Sequence, residues 1–302
     1  MTKVEVEKKA VYKGHKDCIY ALEKGVNGSF FSSGADGLVV RWNLEQPDLG
    51  ELLVKVPNSV YALELVPDND LLLVGQNYAG VHLIDLKSQR ELFSAAVTRA
   101  AIFDIQVYDH WVFLATGDGE VIILTLPDLK TIHKIRLSDK SARAIAIHSE
   151  RQEIAVGYSD NAIRIISMRD FSLLHSFAAH TNSVFSLQYS ADNRSLLSGS
   201  RDAHLKVWDV ANGYQQAQSV VAHMYAINHI AFREDGAYFA TCSMDKSIKV
   251  WRYEDFRLVK VIDKARHAGH GTSVNKLFWG DPNQLISASD DRMISIWNLK
   301  NL

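Results

Sequence analysis

The sequence predicts an all-β fold, a seven-bladed β-propeller with four antiparallel strands per blade, on three observations. A unit of short apolar strands and Asp-bearing turns recurs seven times along the chain. The copies follow one another at about 40–45 residues, the period of a propeller. The last copy stops one strand short, and a strand-like segment at 4–12, VEVEKKAVY, stands ahead of the first.

In chain order, the first copy is GHKDCIYALEKGVNGSFFSSGADGLVVRWNL at 14–44. An apolar strand follows the His. Next come a turn, a second strand ending in small residues, a tight turn with Asp, and a third strand ending in Trp. This is the alternation of short strands expected of an all-β chain. Weaker copies follow at 58–86, 100–126 and 141–168, with Ile84, Leu124 and Ile166 where the first has Trp42. The pattern returns in full at 179–210, 222–253 and 269–299, ending in Trp208, Trp251 and Trp297. The seven anchors are separated by 42, 40, 42, 42, 43 and 46 residues. No low-complexity linker interrupts them, so residues 1–302 read as one domain. Its blades fall near 14–56, 57–98, 99–137, 138–178, 179–221, 222–264 and 265–302 plus 4–12.

Composition bounds the function. Hydrophobic residues make up 47% and charged residues 23% of the 302, enough apolar material for a sizeable core. A formal net charge of -2 gives no basic field for nucleic acid. The start, MTKVEVEKK, lacks the apolar stretch of a secretory leader. The apolar runs, such as LLLV at 71–74, are too short to span a bilayer. The expectation is a soluble cytoplasmic protein, monomeric on its own, with neither membrane nor nucleic acid as partner. Cys18 and Cys242, without CxxC spacing, read as reduced thiols, at least one of them buried.

Four copies carry a His, a Ser or Thr, an Asp and a Trp at fixed spacing. The sets are His15, Ser32, Asp36, Trp42; His180, Ser198, Asp202, Trp208; His223, Thr241, Asp245, Trp251; and His270, Ser287, Asp291, Trp297. His to Asp is 21 or 22 residues and Asp to Trp is always 6. The residue types are those of a hydrolase triad. Multiplicity argues otherwise: a catalytic site is singular, whereas a structural device recurs once per repeat. No G-x-S-x-G elbow, P-loop or dinucleotide fingerprint is present. His267 and His270 form an H-x-x-H pair without further ligands nearby, so no metal site is assigned. No cofactor and no catalytic residue are expected.

These motifs resemble the WD-repeat family, and the resemblance covers essentially the whole chain. The literal pair stands once, Trp208-Asp209; elsewhere it is Trp42-Asn43, Trp251-Arg252 and Trp297-Asn298. Gly-His is intact at Gly14-His15 and Gly269-His270, and becomes Ala-His at Ala179-His180 and Ala222-His223. The resemblance implies that each four-residue set is a hydrogen-bonded tetrad inside its blade. It also implies that the N-terminal strand completes the last blade. Blades two to four lack the full set, keeping only Asp118 and Asp160, and are expected to rely on packing.

The resemblance further places partner contacts on the face bearing the Asp turns and Gly-His loops. The fifth residue after each His reads Tyr20, Tyr61, Phe103, Arg143, Phe185, Asn228 and Asn275 round the ring. Arg201, Met244 and Asp290, each before the Asp, complete the candidate set, and Tyr225 could extend it. Four aromatics and two arginines at one pore mouth have the composition of an interface hot spot. The expected function is a non-catalytic scaffold or adaptor for a peptide or protein partner. Arg143 and Arg201 make an acidic or phosphorylated segment a candidate part of that partner. The alternative is a propeller enzyme or small-ligand binder using the central channel. That alternative calls for convergent carboxylates, and the fifth-position ring contains none.

Overall fold

The computed structural model describes residues 4–66 and 70–302, with the side chain of Asp48 also outside the description. Seven sheets of four antiparallel strands form a ring. In chain order the innermost strands are Ile19–Lys24, Val60–Val66, Ile102–Tyr108, Ala142–His148, Val184–Tyr189, Ile227–Phe232 and Val274–Asp281. Blade seven holds only three strands from the C-terminal end of the chain. Its outer strand is Glu5–Lys13, paired antiparallel with Met293–Lys300 in a register that sets Glu5 opposite Lys300 and Tyr12 opposite Ile294. The ring is therefore closed by main-chain hydrogen bonds between the two ends of the described chain.

The core lies between blades. Seven clusters of buried side chains each join two neighbours, including the pair seven and one, where Tyr12, Phe30, Trp42, Ile286 and Ile294 meet. The small residues ending each second strand permit this contact. A Cβ on Gly199 would lie 2.6 Å from Ile227 of the next blade, so a larger residue would force the blades apart. The Asp turns are tight: Gly37, Ala203, Lys246 and Arg292, each following the Asp, adopt positive φ.

One irregularity repeats seven times. Every innermost strand shifts register against its neighbour at the fifth-position residue, as between Ile19 and Ala21 or Val184 and Ser186. A β-bulge bends the strand and re-aims one side chain. Here it turns that residue toward the mouth of the channel. Among the described residues, no helix is long and apolar enough to cross a membrane.

Candidate functional site

The four tetrads share one geometry. In blade five, His180 Nδ1 lies 3.0 Å from Asp202, its Nε2 lies 2.7 Å from Ser198 Oγ, and Trp208 Nε1 donates to that same Oγ at 2.8 Å. The sets at His15, His223 and His270 match within a few tenths of an ångström. A single proton arrangement satisfies the network. A neutral imidazole donates from Nδ1 to the carboxylate, the hydroxyl donates to Nε2, and the indole donates to the hydroxyl. Each Asp also accepts the N–H after the His, as from Thr181 at 2.9 Å, and the N–H two residues on, as from His204 at 3.0 Å. The carboxylate thus ties its own turn to the loop leading into the blade. Burial holds the His180 and His223 pKa values below normal, against the pull of Asp202 and Asp245. Burial would raise both carboxyls, but hydrogen bonds from the His and backbone N–H groups outweigh it and hold them well below their usual range.

Blades two to four differ from the sequence expectation of packing alone, because polar ties replace the missing tetrads. In blade four, Asp160 pairs with Arg164 at 2.7 Å and accepts from Ser138 at 2.7 Å, while the Arg164 guanidinium covers the Tyr158 ring at 4.5 Å. In blade three, Asp118 accepts from Thr116. In blade two, His82 bridges Gln76 and Glu91, each at 2.8 Å. Ser138 stands at the His position of its copy, 22 residues before Asp160, whereas Arg164, Thr116, Gln76 and Glu91 sit at spacings foreign to the tetrad and escape a search for its pattern.

At the channel mouth the bulged residues meet one another. Tyr20 and Tyr61 pack edge to face with centroids 4.8 Å apart, and Tyr61 stacks on Phe103 at 5.6 Å with planes 3° from parallel. The Arg143 guanidinium then lies 4.0 Å over Phe103 and 5.3 Å from Phe185. The five side chains form a continuous arc across blades one to five. All are half-buried, since each ring covers its neighbour, so they leave less apolar surface to water than the sequence reading implies. Exposed apolar side chains of this face gather on blade six, with Met224 at 81%, Tyr225 at 61% and Met244 at 51% exposure, and Tyr78 at 60% stands on the corresponding turn of blade two. Arg201, on the turn of blade five, is also exposed. The remaining candidates are engaged within the ring. Asn228 donates to Ser273 and to the Val274 carbonyl, and Asn275 donates to the Ile19 carbonyl and to Asp290, at 2.7–2.9 Å. They bridge blades six, seven and one.

Below the arc, a channel of about 820 Å³ contains charged groups that the sequence reading missed. Glu23, Glu64 and Asp104 line it from blades one to three, together with His229 and Lys276 from blades six and seven. They lie one and three residues beyond the bulge, so alternation counted from the bulge would have found them. Each carboxylate accepts an N–H from the next blade: Glu23 from Leu65, Glu64 from Val107 at 3.4 Å, and Asp104 from Ile145 at 2.8 Å. Burial pushes all three pKa values up, Glu23 to about 7, and Lys276 partly offsets this. Burial together with Lys276 holds His229 low.

The WD domain, G-beta repeat family matches at 6–43, 171–209, 214–252 and 263–298, together about half the chain. The unmatched stretch spans the blades without tetrads, which nevertheless have the same four strands. The chain resembles a 66 kDa stress protein of Physarum polycephalum, 22% identical over 96% of this chain and 47% of that one. It also resembles WD repeat-containing protein 1-B of Xenopus laevis, 23% identical over 96% and 48%. Actin-interacting protein 1 of Caenorhabditis elegans is 22% identical over 95% and 47%. The chain thus spans about half the length of these relatives. Among solved structures, the WD40 β-propeller domain of Doa1 superposes with a TM-score of 0.87 at 16% identity, covering 98% of this chain and 97% of that one. With its seven sheets, its repeated tetrads and these matches, the chain belongs to the WD domain, G-beta repeat family.

Proposed function

We propose that this propeller is a non-catalytic interaction platform that receives a peptide or protein segment across the mouth carrying the Asp turns. The observation that carries this reading is the continuous arc Tyr20–Tyr61–Phe103–Arg143–Phe185, aimed at one opening by a bulge in each blade. Pre-stacked rings lose little side-chain freedom on binding, which favours them as anchors. Met224, Tyr225 and Met244 extend the surface over blade six. The four hydrogen-bonded sets serve the scaffold, since their His, hydroxyl and indole groups are committed to one another inside the blades. Family membership supports protein partners in general. The name of actin-interacting protein 1 makes actin a reasonable first candidate to assay.

The test is the double variant Tyr61→Ala with Phe103→Ala. It should melt within a few degrees of the parent yet bind an identified partner about thirtyfold more weakly, roughly 2 kcal/mol. Global unfolding would assign the rings to the core. Normal binding would move the partner to another surface.

The gathering of Glu23, Glu64 and Asp104 gives a second reading, a small-ligand or catalytic site in the channel. It ranks below the first because each carboxylate already accepts an inter-blade N–H.

A further inference from the structure

Arg143 differs from the other arginines withdrawn from solvent. Arg41, Arg164, Arg233 and Arg252 each pair with a carboxylate: Glu51, Asp160, Asp235 and Asp255 respectively. Arg143 is half-buried, yet among the described residues no carboxylate lies within ion-pair distance of it. Its Nε donates to Ser159 Oγ at 2.9 Å and its flat face rests on Phe103 and Phe185. Those contacts fix the plane of the guanidinium and leave both terminal NH2 groups without an acceptor among the described residues.

A second arginine stands on the neighbouring blade of the same face. Arg201 sits on the turn of blade five, where its backbone N–H donates to the Ser183 carbonyl at 2.9 Å, two residues ahead of Phe185. Its side chain is exposed and makes no ion pair among the described residues. Burial lowers the Arg143 pKa, and the charge of Arg201 acts in the same direction. Two cations on neighbouring blades repel, and an anion between them relieves the cost.

We propose that this mouth binds a phosphoryl group carried by the partner segment, with Arg143 and Arg201 as its two guanidinium ligands and the Ser159 hydroxyl beside them. The inference rests on the peptide-binding reading above for the source of the group. Charge selects phosphoryl over carboxyl. A phosphoserine, phosphothreonine or phosphotyrosine carries about -1.5 to -2 at pH 7, enough to neutralise both arginines, whereas one carboxylate neutralises one. Planar forks that are already oriented favour bidentate contact with phosphate oxygens.

The experiment titrates the full chain with phenyl phosphate and with benzoate, its carboxylate counterpart, at constant ionic strength. Phenyl phosphate should bind about tenfold more tightly. Arg143→Gln and Arg201→Gln should each weaken it by about tenfold, and Arg143→Lys should not restore it because the fork is lost. Arg292→Gln, an exposed charge on blade seven of the same face, controls for net charge and should leave the affinity unchanged. Equal affinity for the two anions, undiminished binding in both glutamine variants, or an equal loss in Arg292→Gln would overturn the proposal. Should Arg143→Gln fail to fold, the exposed Arg201→Gln decides alone. A partner that needs Tyr61 and Phe103 while phenyl phosphate is ignored would overturn this inference and leave the earlier reading standing. Phosphate binding in a chain that takes no peptide would do the reverse.

Discussion

Tyr12 packs edge to face on Trp42, with ring centroids 5.5 Å apart. The two belong to different blades, Tyr12 to the closing strand of blade seven and Trp42 to the tetrad of blade one. The Tyr12 hydroxyl reaches the carbonyls of Asn43 and Leu44 at 3.0 and 3.1 Å. One buried side chain therefore anchors the seam to both the core and the backbone of its neighbour.

Tyr12→Ala is expected to cost about 3–5 kcal/mol, as for other buried aromatics. Removing residues 1–12 should uncover the edge of Met293–Lys300 and promote association through it. Urea unfolding and size-exclusion chromatography read the two effects. A shortened chain that stays monomeric and melts with the parent would show that the seam contributes nothing.

In the tetrads, Trp208→Ala should cost about 3–5 kcal/mol and His180→Ala about 1–3, the latter by orphaning Ser198 and Asp202. The pH dependence has a definite sign. His180 is held below its ordinary 6.5, so the unfolded chain takes up a proton there that the folded chain resists, and stability falls as pH drops below that value. Asp202, held below 3.8, adds a further loss at lower pH. Melting temperature against pH should fall less steeply in His180→Ala between about 6.5 and 5. Parallel curves would contradict the assignment of a neutral buried imidazole.

The channel carboxyls respond in the opposite sense. With its pKa raised from 4.5 to about 7, folded Glu23 keeps a proton that the unfolded chain releases, so this contribution is full at low pH and is lost as pH rises through about 7. Glu23→Gln retains an oxygen for the Leu65 N–H and removes the titration. It should match the parent near pH 4 and melt above it near pH 8, by scanning calorimetry. A constant offset at all pH values would mean that Glu23 titrates normally.

Blade four offers a substitute for the tetrad that can be cut on its own. Asp160→Ala leaves Arg164 and Ser138 without their acceptor and should cost about 1–3 kcal/mol. Amide exchange should accelerate in blade four ahead of blade six. Equal acceleration round the ring would mean that the blades do not open separately.

The seven-fold period and the four His, Ser or Thr, Asp and Trp sets were legible in the sequence because each depends on residue type at a repeated spacing, while their hydrogen bonding and the strand closing blade seven were expectations drawn from the family resemblance and the missing fourth strand. Arg164 was not. It lies four residues after Asp160, and only the fold shows that its guanidinium returns across the turn to that carboxylate. Glu23, Glu64 and Asp104 were missed for a different reason. The bulge at Tyr20, Tyr61 and Phe103 resets which side chains face the channel, and a count that stopped at the bulged position ended one residue short of Asp104 and three short of Glu23 and Glu64. The arc was legible as a list of positions but not as a stack. Nothing in the spacing of Phe103, Arg143 and Phe185 says that the arginine lies on the rings.

The register of the closing strand also sets how the ring bears load. Glu5 faces Lys300, Val6 faces Leu299 and Glu7 faces Asn298, so the ends of the paired strands lie side by side. Tension applied at residues 5 and 300 would fall on a single rung of the ladder, then on the next, and peel the strand away one step at a time. The same strand pulled along its length, from residue 13 against residue 300, would set every rung in shear at once. The propeller is thus a clasp that opens by lifting at one corner and holds against sliding.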